Sequence, residues 1–153
     1  MKDNFYQKQI NQLFRDVTSL GSFIFFFLIL ILTLALQETG LFFKLLIGLI
    51  FIMFASLLIR IIFFKNRPRK QEYNNLIEKL DASSFPSIHT ARIIFQSLIF
   101  INFFNDKLIT YFFILLSILV SYSRVYLKKH DWFDLLGGLI LAGVTFWITS
   151  FLA

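Results

Sequence analysis

The chain has 153 residues, of which 58% are hydrophobic, 22 are phenylalanine and only 16% are charged. A soluble domain cannot hide so much apolar surface behind so little charge, so the composition places the chain in a membrane. The net charge of +6 is the usual excess of basic residues in membrane loops and gives no ground for nucleic-acid binding, while the absence of cysteine removes disulfides, thiolate nucleophiles and cysteine-held metals.

Residues 1–17 place Tyr6, Ile10, Leu13, Phe14 and Val17 at helical spacing, with Lys8 and Arg15 on other faces. That pattern predicts an amphipathic helix, lying on the bilayer surface or packed on a bundle. Five apolar segments follow near 18–36, 41–64, 86–104, 108–127 and 132–153, each near the roughly 20 residues that cross a bilayer as a helix. The first lacks a small-residue cleavage pattern and runs straight into the second, so it reads as a retained helix and not as a signal peptide. Between the second and third, "YNNLIEKL" repeats the amphipathic pattern through Tyr73, Leu76, Ile77 and Leu80. Gly137, Gly138 and Gly143 in the last segment suit close helix packing. No repeat or low-complexity linker divides the chain. The expectation is an all-α integral-membrane bundle, one domain over 1–153, with about five transmembrane helices and an N-terminal amphipathic helix.

With five crossings, thirteen of the fifteen Lys and Arg residues fall on the side of the N-terminus and the 65–85 and 128–131 loops, leaving Lys44 and Lys107 on the other. Basic loops stay in the cytoplasm, so that side is expected to be cytoplasmic.

The same side collects the polar residues at helix ends. Arg60 closes the second span, Arg67 and Pro68 follow it, Ser87 and His89 open the third, Arg124 ends the fourth, and His130 and Asp134 open the fifth. In a compact antiparallel bundle these four ends meet. Ionisable groups at membrane depth are costly and mark function. Guanidiniums sharing a pocket repel one another unless an anion lies among them, and their planar forks match phosphate oxygens. The first turn after Pro86 adds backbone N–H groups and the Ser87 hydroxyl as further anion donors. His130 and Asp134 are four apart, so the carboxylate can fix the imidazole tautomer and leave the other nitrogen to attack phosphorus. His89 is then placed to protonate the departing oxygen. The arrangement describes phosphoryl transfer through a phosphohistidine, with arginines supplying the positive charge and no metal.

These residues resemble the three signature motifs of the type 2 phosphatidic acid phosphatase family, membrane lipid-phosphate phosphatases related to vanadium haloperoxidases. The first motif, K-x6-R-P, is similar to "RIIFFKNRP" at 60–68, with Arg60 in place of lysine. The second, P-S-G-H, is similar to "PSIH" at 86–89, with Ile88 in place of glycine, and the third, S-R-x5-H-x3-D, is matched in full by "SRVYLKKHDWFD" at 123–134. The resemblance implies that His130 is the nucleophile, Asp134 its orienting partner and His89 the general acid. It also implies that Arg60, Arg67, Ser87, Arg124 and the backbone N–H of Ile88 hold the phosphoryl oxygens. Arg92, Ser123, Lys128 and Lys129 receive no role from it.

The expected function is metal-independent, cofactor-free hydrolysis of a lipid phosphate monoester or diphosphate in the plasma membrane of a prokaryote, with phosphatidylglycerol phosphate, phosphatidate and polyprenyl phosphates as candidates. A non-catalytic lipid-phosphate-binding protein of the same fold is the alternative. The expected partners are the phosphorylated lipid and the bilayer, with no nucleic acid.

Overall fold

The computed structural model describes residues 2–69 and 72–151, and among them every regular element is a helix. In chain order these are α1 (Lys2–Ser19), α2 (Phe23–Ala35), α3 (Thr39–Ile62), α4 (Leu76–Ala82), α5 (Ile88–Phe104), α6 (Lys107–Tyr126) and α7 (Trp132–Ser150). Lys70 of the basic loop and the end of the last expected span, residues 152–153, lie outside the described residues.

The five apolar segments are all helical, but they differ in length. By length and composition α3, α6 and α7 can cross a membrane, while α1 and α2 form a pair bent by 43°. The expected first span of nineteen residues shortens to thirteen because Leu20–Ser22 leave the helix and the Ser22 hydroxyl caps α2 by accepting from Phe25 N–H. At thirteen residues α2 rises only about 20 Å, short of a bilayer's apolar thickness. Helix α5 has seventeen residues, starting at the Ser87 cap and ending at Asn105 in the left-handed region (φ 47°). Its length is not set by lipid, because Ala91, Ile93, Phe95 and Ile99 are all buried against protein.

Helix α5 is the centre of the bundle and packs against α7, α6 and α3. Its Phe95 lies parallel to Phe26 of α2, with ring centroids 6.4 Å apart. The space for that ring comes from Gly48 of α3, where an added Cβ would fall 2.0 Å from the ring. Leu45, Leu49 and Ile52 of α3 and Leu141 and Ala142 of α7 complete the core. Leu28, Ile31, Ile50, Phe54, Leu115 and Ile140 are exposed, as expected of surfaces facing lipid.

Helix α1 divides its apolar residues. Phe14 stacks on Tyr126 and meets Tyr122 edge-on, which fastens the helix to the end of α6. Tyr6, Ile10 and Leu13 remain exposed, as do Leu76 and Ile77 of α4. Both apolar edges sit near the basic loops, where an amphipathic helix meets a bilayer surface.

Candidate functional site: an arginine-lined cavity

The ends of α3, α5, α6 and α7 converge, and two loops fasten them together. After α3 the chain pairs with the segment preceding α5: Asn66 and Ser83 form an antiparallel bridge, and Ser84 N–H donates to the Lys65 carbonyl at 2.8 Å. Arg69 N–H then donates to the Lys128 carbonyl at 3.2 Å, tying the same loop to the α6–α7 turn. That turn is tight: the N–H groups of Lys129 and His130 both donate to the Arg124 carbonyl, at 3.0 and 3.2 Å. Helices α5 and α7 come together because Gly138 has no side chain; a Cβ there would lie 2.7 Å from the Ser87 carbonyl oxygen. Gly137 likewise leaves room for Phe85, whereas a Cβ on Gly143 would meet nothing within 4 Å, so the expected packing role does not extend to it.

The convergence encloses a cavity of about 220 Å³ lined by Met53, Arg60, Arg67, Asp81, Ile88, His89, Arg92, Arg124 and His130. Six residues singled out in the sequence line it: Arg60, Arg67, Ile88, His89, Arg124 and His130. Arg60, in the last turn of α3, is buried and donates to the carbonyls of Leu80 and Pro86 at 3.2 and 3.4 Å. Arg67 donates to the Asp81 carbonyl, and Arg124 to the Thr18 hydroxyl at 3.0 Å. Asp81, itself exposed, is the one carboxylate in the lining.

Two expected site residues are not in the lining, Ser87 and the orienting partner Asp134. Ser87 is not among the lining residues: it is the N-cap of α5, its hydroxyl accepting from Thr90 N–H at 3.4 Å and from the Thr90 hydroxyl at 3.0 Å. Pro86 precedes that cap instead of opening the helix. Asp134 lies fully buried behind His130.

The His130–Asp134 pair is made by a helix cap. Asp131 is the N-cap of α7, so His130 lies outside the helix; Asp131 and Asp134 form a capping box through two bonds of 3.0 Å. The box turns Asp134 Oδ2 toward His130 Nδ1 at 3.5 Å, longer than a well-formed hydrogen bond, a separation common at sites before substrate binds. The other oxygen, Oδ1, accepts from Lys65 Nζ at 2.8 Å and from the Ser84 hydroxyl at 3.3 Å. With Nδ1 on the carboxylate side, Nε2 is the ring nitrogen left to the cavity.

Burial holds the His130 pKa below the usual imidazole range; Asp134 opposes this, and the Arg124 charge adds to it. The ring is therefore neutral at pH 7 and has a lone pair to offer. Burial acts to lower Lys65, but its hydrogen bonds to Asp131 and Asp134 outweigh that and leave its pKa raised. Burial also lowers Arg67, against the attraction of Asp81 and Asp134.

One residue of the site, Lys65, is missed in the sequence, and another, Arg92, is named there without a role. Lys65 lay inside a basic run that reads as an orientation signal, and nothing in local spacing connects it to Asp134. Arg92 lines the cavity and is 5% exposed; its position three after His89 on one helix was the available signal. Among the described residues no group of three or more His, Cys, Asp or Glu side chains is arranged to hold a metal ion.

The structure is thus an apolar helical bundle with a guanidinium-lined cup around two histidines at one end. Residues 42–152 match the PAP2 superfamily, and the chain belongs to it. Membership of that superfamily supports a phosphatase set in a membrane. The crystal structure of Aquifex aeolicus LpxE is similar in fold, with a TM-score of 0.76 and 21% sequence identity over 93% of this chain and 86% of that one. No curated protein sequence matches the chain significantly.

Proposed function

We propose that the chain hydrolyses a phosphate monoester or diphosphate of a membrane lipid by passing the phosphoryl group through His130. The observation that carries this reading is the shared cavity: Arg60, Arg67 and Arg124 surround a space that His130 and His89 both line, and Asp134 backs the His130 ring. The phosphoryl oxygens sit among the three guanidiniums, with the Ile88 N–H at the start of α5 as a further donor. His130 Nε2 attacks phosphorus, and Asp134 stabilises the positive charge that develops on the ring. His89 gives its proton to the departing lipid oxygen and later takes one from the attacking water. Ser87 acts indirectly, by capping the helix that carries Ile88 and His89.

The thirteen-to-two distribution of basic residues supports a cytoplasmic site, where a lipid phosphorylated from cytosolic precursors would be met. A binding protein without turnover is the second reading, favoured by Ile88, whose side chain lines the cavity where the superfamily's motif has glycine.

Purified protein in detergent and chelator should release inorganic phosphate from a panel of lipid monophosphates and diphosphates. His130→Ala should lower kcat by at least about 10⁴-fold. A fully active His130→Ala would remove the nucleophile assignment, and binding without turnover across the panel would establish the second reading.

A further inference from the structure

Arg92 is the one cavity residue for which neither the motifs nor the packing supplies a task. Its guanidinium is almost wholly buried, lines the cavity and makes no hydrogen bond or ion pair among the described residues; its Nε is enclosed without an acceptor. The other three arginines each reach a protein oxygen: Leu80 and Pro86 carbonyls for Arg60, the Asp81 carbonyl for Arg67 and the Thr18 hydroxyl for Arg124. The charges that face Arg92 are positive, from Arg60 on α3 and Arg124 on α6. A buried guanidinium among like charges is strongly unfavourable unless an anion joins it.

Its position says which part of an anion that would be. Arg92 follows His89 by three residues on α5, so it lies on nearly the same helix face and about 4.5 Å further along the axis, away from the helix mouth. Met53, seven residues before Arg60 on α3, lines the cavity about 10 Å in from Arg60 along its helix, so the cavity extends inward past His89. Gln96, four residues beyond Arg92, is also buried with its Nε2 unpaired, which continues a stripe of polar donors down α5.

We propose that Arg92 binds the leaving group, and that it selects lipid diphosphates over lipid monophosphates. The inference rests on the proposed function and deepens it. In an in-line displacement the order is His130, phosphorus, the departing oxygen beside His89, and then whatever that oxygen is attached to. In a monoester the next group is hydrocarbon, which gives a bare buried guanidinium nothing to bind. In a diphosphate it is a second phosphoryl group, whose oxygens match the Arg92 fork. The electrons then balance as follows. His130 Nε2 forms a bond to the terminal phosphorus, and the bond from that phosphorus to the bridging oxygen breaks. The bridging oxygen keeps the electron pair and takes the His89 proton, and lipid monophosphate departs from Arg92. Water attacks the phosphohistidine, its proton passes to His89, the N–P pair returns to His130, and inorganic phosphate leaves.

The test compares farnesyl diphosphate with farnesyl monophosphate, which share one hydrocarbon chain, on the full-length protein in detergent. The unmodified protein should have the higher kcat/KM on the diphosphate. Arg92→Met, which keeps the apolar bulk, should lose about 10²-fold on the diphosphate and less than about 5-fold on the monophosphate, with Arg92→Lys between. Equal losses on both substrates, or no loss on either, overturn the assignment. A second readout needs no turnover: inorganic diphosphate should raise the unfolding temperature of the unmodified protein more than inorganic phosphate does, and Arg92→Met should erase that difference. If the unmodified protein hydrolyses no lipid of the panel but keeps the diphosphate preference in unfolding, and Arg92→Met erases it, the proposed function fails and Arg92 stands as a diphosphate ligand. If Arg92→Met keeps the preference, the Arg92 assignment fails whatever the turnover.

Discussion

The two walls of the cavity are built on opposite principles. On the α7 side the carboxylate is held by the protein: Asp134 accepts from Asp131 N–H, Lys65 and Ser84, and faces His130 Nδ1 at 3.5 Å. On the side made by α3, α5 and α6, four guanidiniums share one exposed carboxylate, and the Nε atoms of Arg60, Arg92 and Arg124 are buried without acceptors. The carboxylate of the first wall is oriented before anything binds. Under the proposed function the second wall is completed by an anion, and the energy its charges lose through mutual repulsion would be recovered on phosphate binding. Machinery that must be oriented is fixed by the fold, and machinery that must recognise charge is left unsatisfied.

Substitutions on each wall should fail in different ways. The largest effect expected in this contrast is at Asp134→Asn, which keeps the shape but loses the charge that favours an imidazolium. Its kcat should fall by about 10⁴-fold with KM nearly unchanged, as single-turnover and steady-state assays would show. Arg124→Ala, on the other wall, should lower kcat/KM by about 10² to 10³-fold, with KM raised. An unchanged KM there would erase the distinction between the walls. Lys65→Met should resemble a milder Asp134 substitution, about 10 to 100-fold in kcat, because a buried carboxylate loses a charged donor. Stabilisation by inorganic phosphate should be unaffected in that variant.

The smallest effect concerns pH. The folded pKa of His130 lies below its unfolded value of about 6.5, so between the two the unfolded chain binds the proton more readily. Stability should therefore be flat with respect to this group above about pH 6.5 and fall as pH drops below it. In His130→Gln, unfolding temperatures measured across that range should lose this part of the slope. The Lys65 pairing has the opposite sign: its raised pKa means that its stabilisation is kept below the ordinary lysine value of about 10.4 and lost only as pH rises past the folded value.

What the sequence disclosed follows the reach of each interaction. Apolar runs locate α2, α3, α5, α6 and α7 because a lipid-facing or core helix must be greasy along its whole length, and motif spacing locates Arg60, Arg67, His89, Arg124 and His130 at helix ends. The start of α2 was harder to see, since Leu20–Ser22 are apolar or small and yield to the tight fit of Gly21 against Val120 and the His89 carbonyl. Ser87 is expected as an anion donor; in the structure its oxygen accepts from Thr90 N–H and the Thr90 hydroxyl and caps α5, a use that the local sequence does not separate from anion binding. Lys65 pairs with a residue sixty-nine positions away, and no periodicity encodes that meeting.

The Thr18–Arg124 hydrogen bond has a consequence for kinship. Thr18 precedes the stretch that matches the superfamily, yet its hydroxyl holds one of the cavity's guanidiniums. A residue outside the matched stretch thus helps to position a cavity arginine. Grafting a different N-terminal helix onto residues 42–152 would keep every motif intact and still retune the pocket.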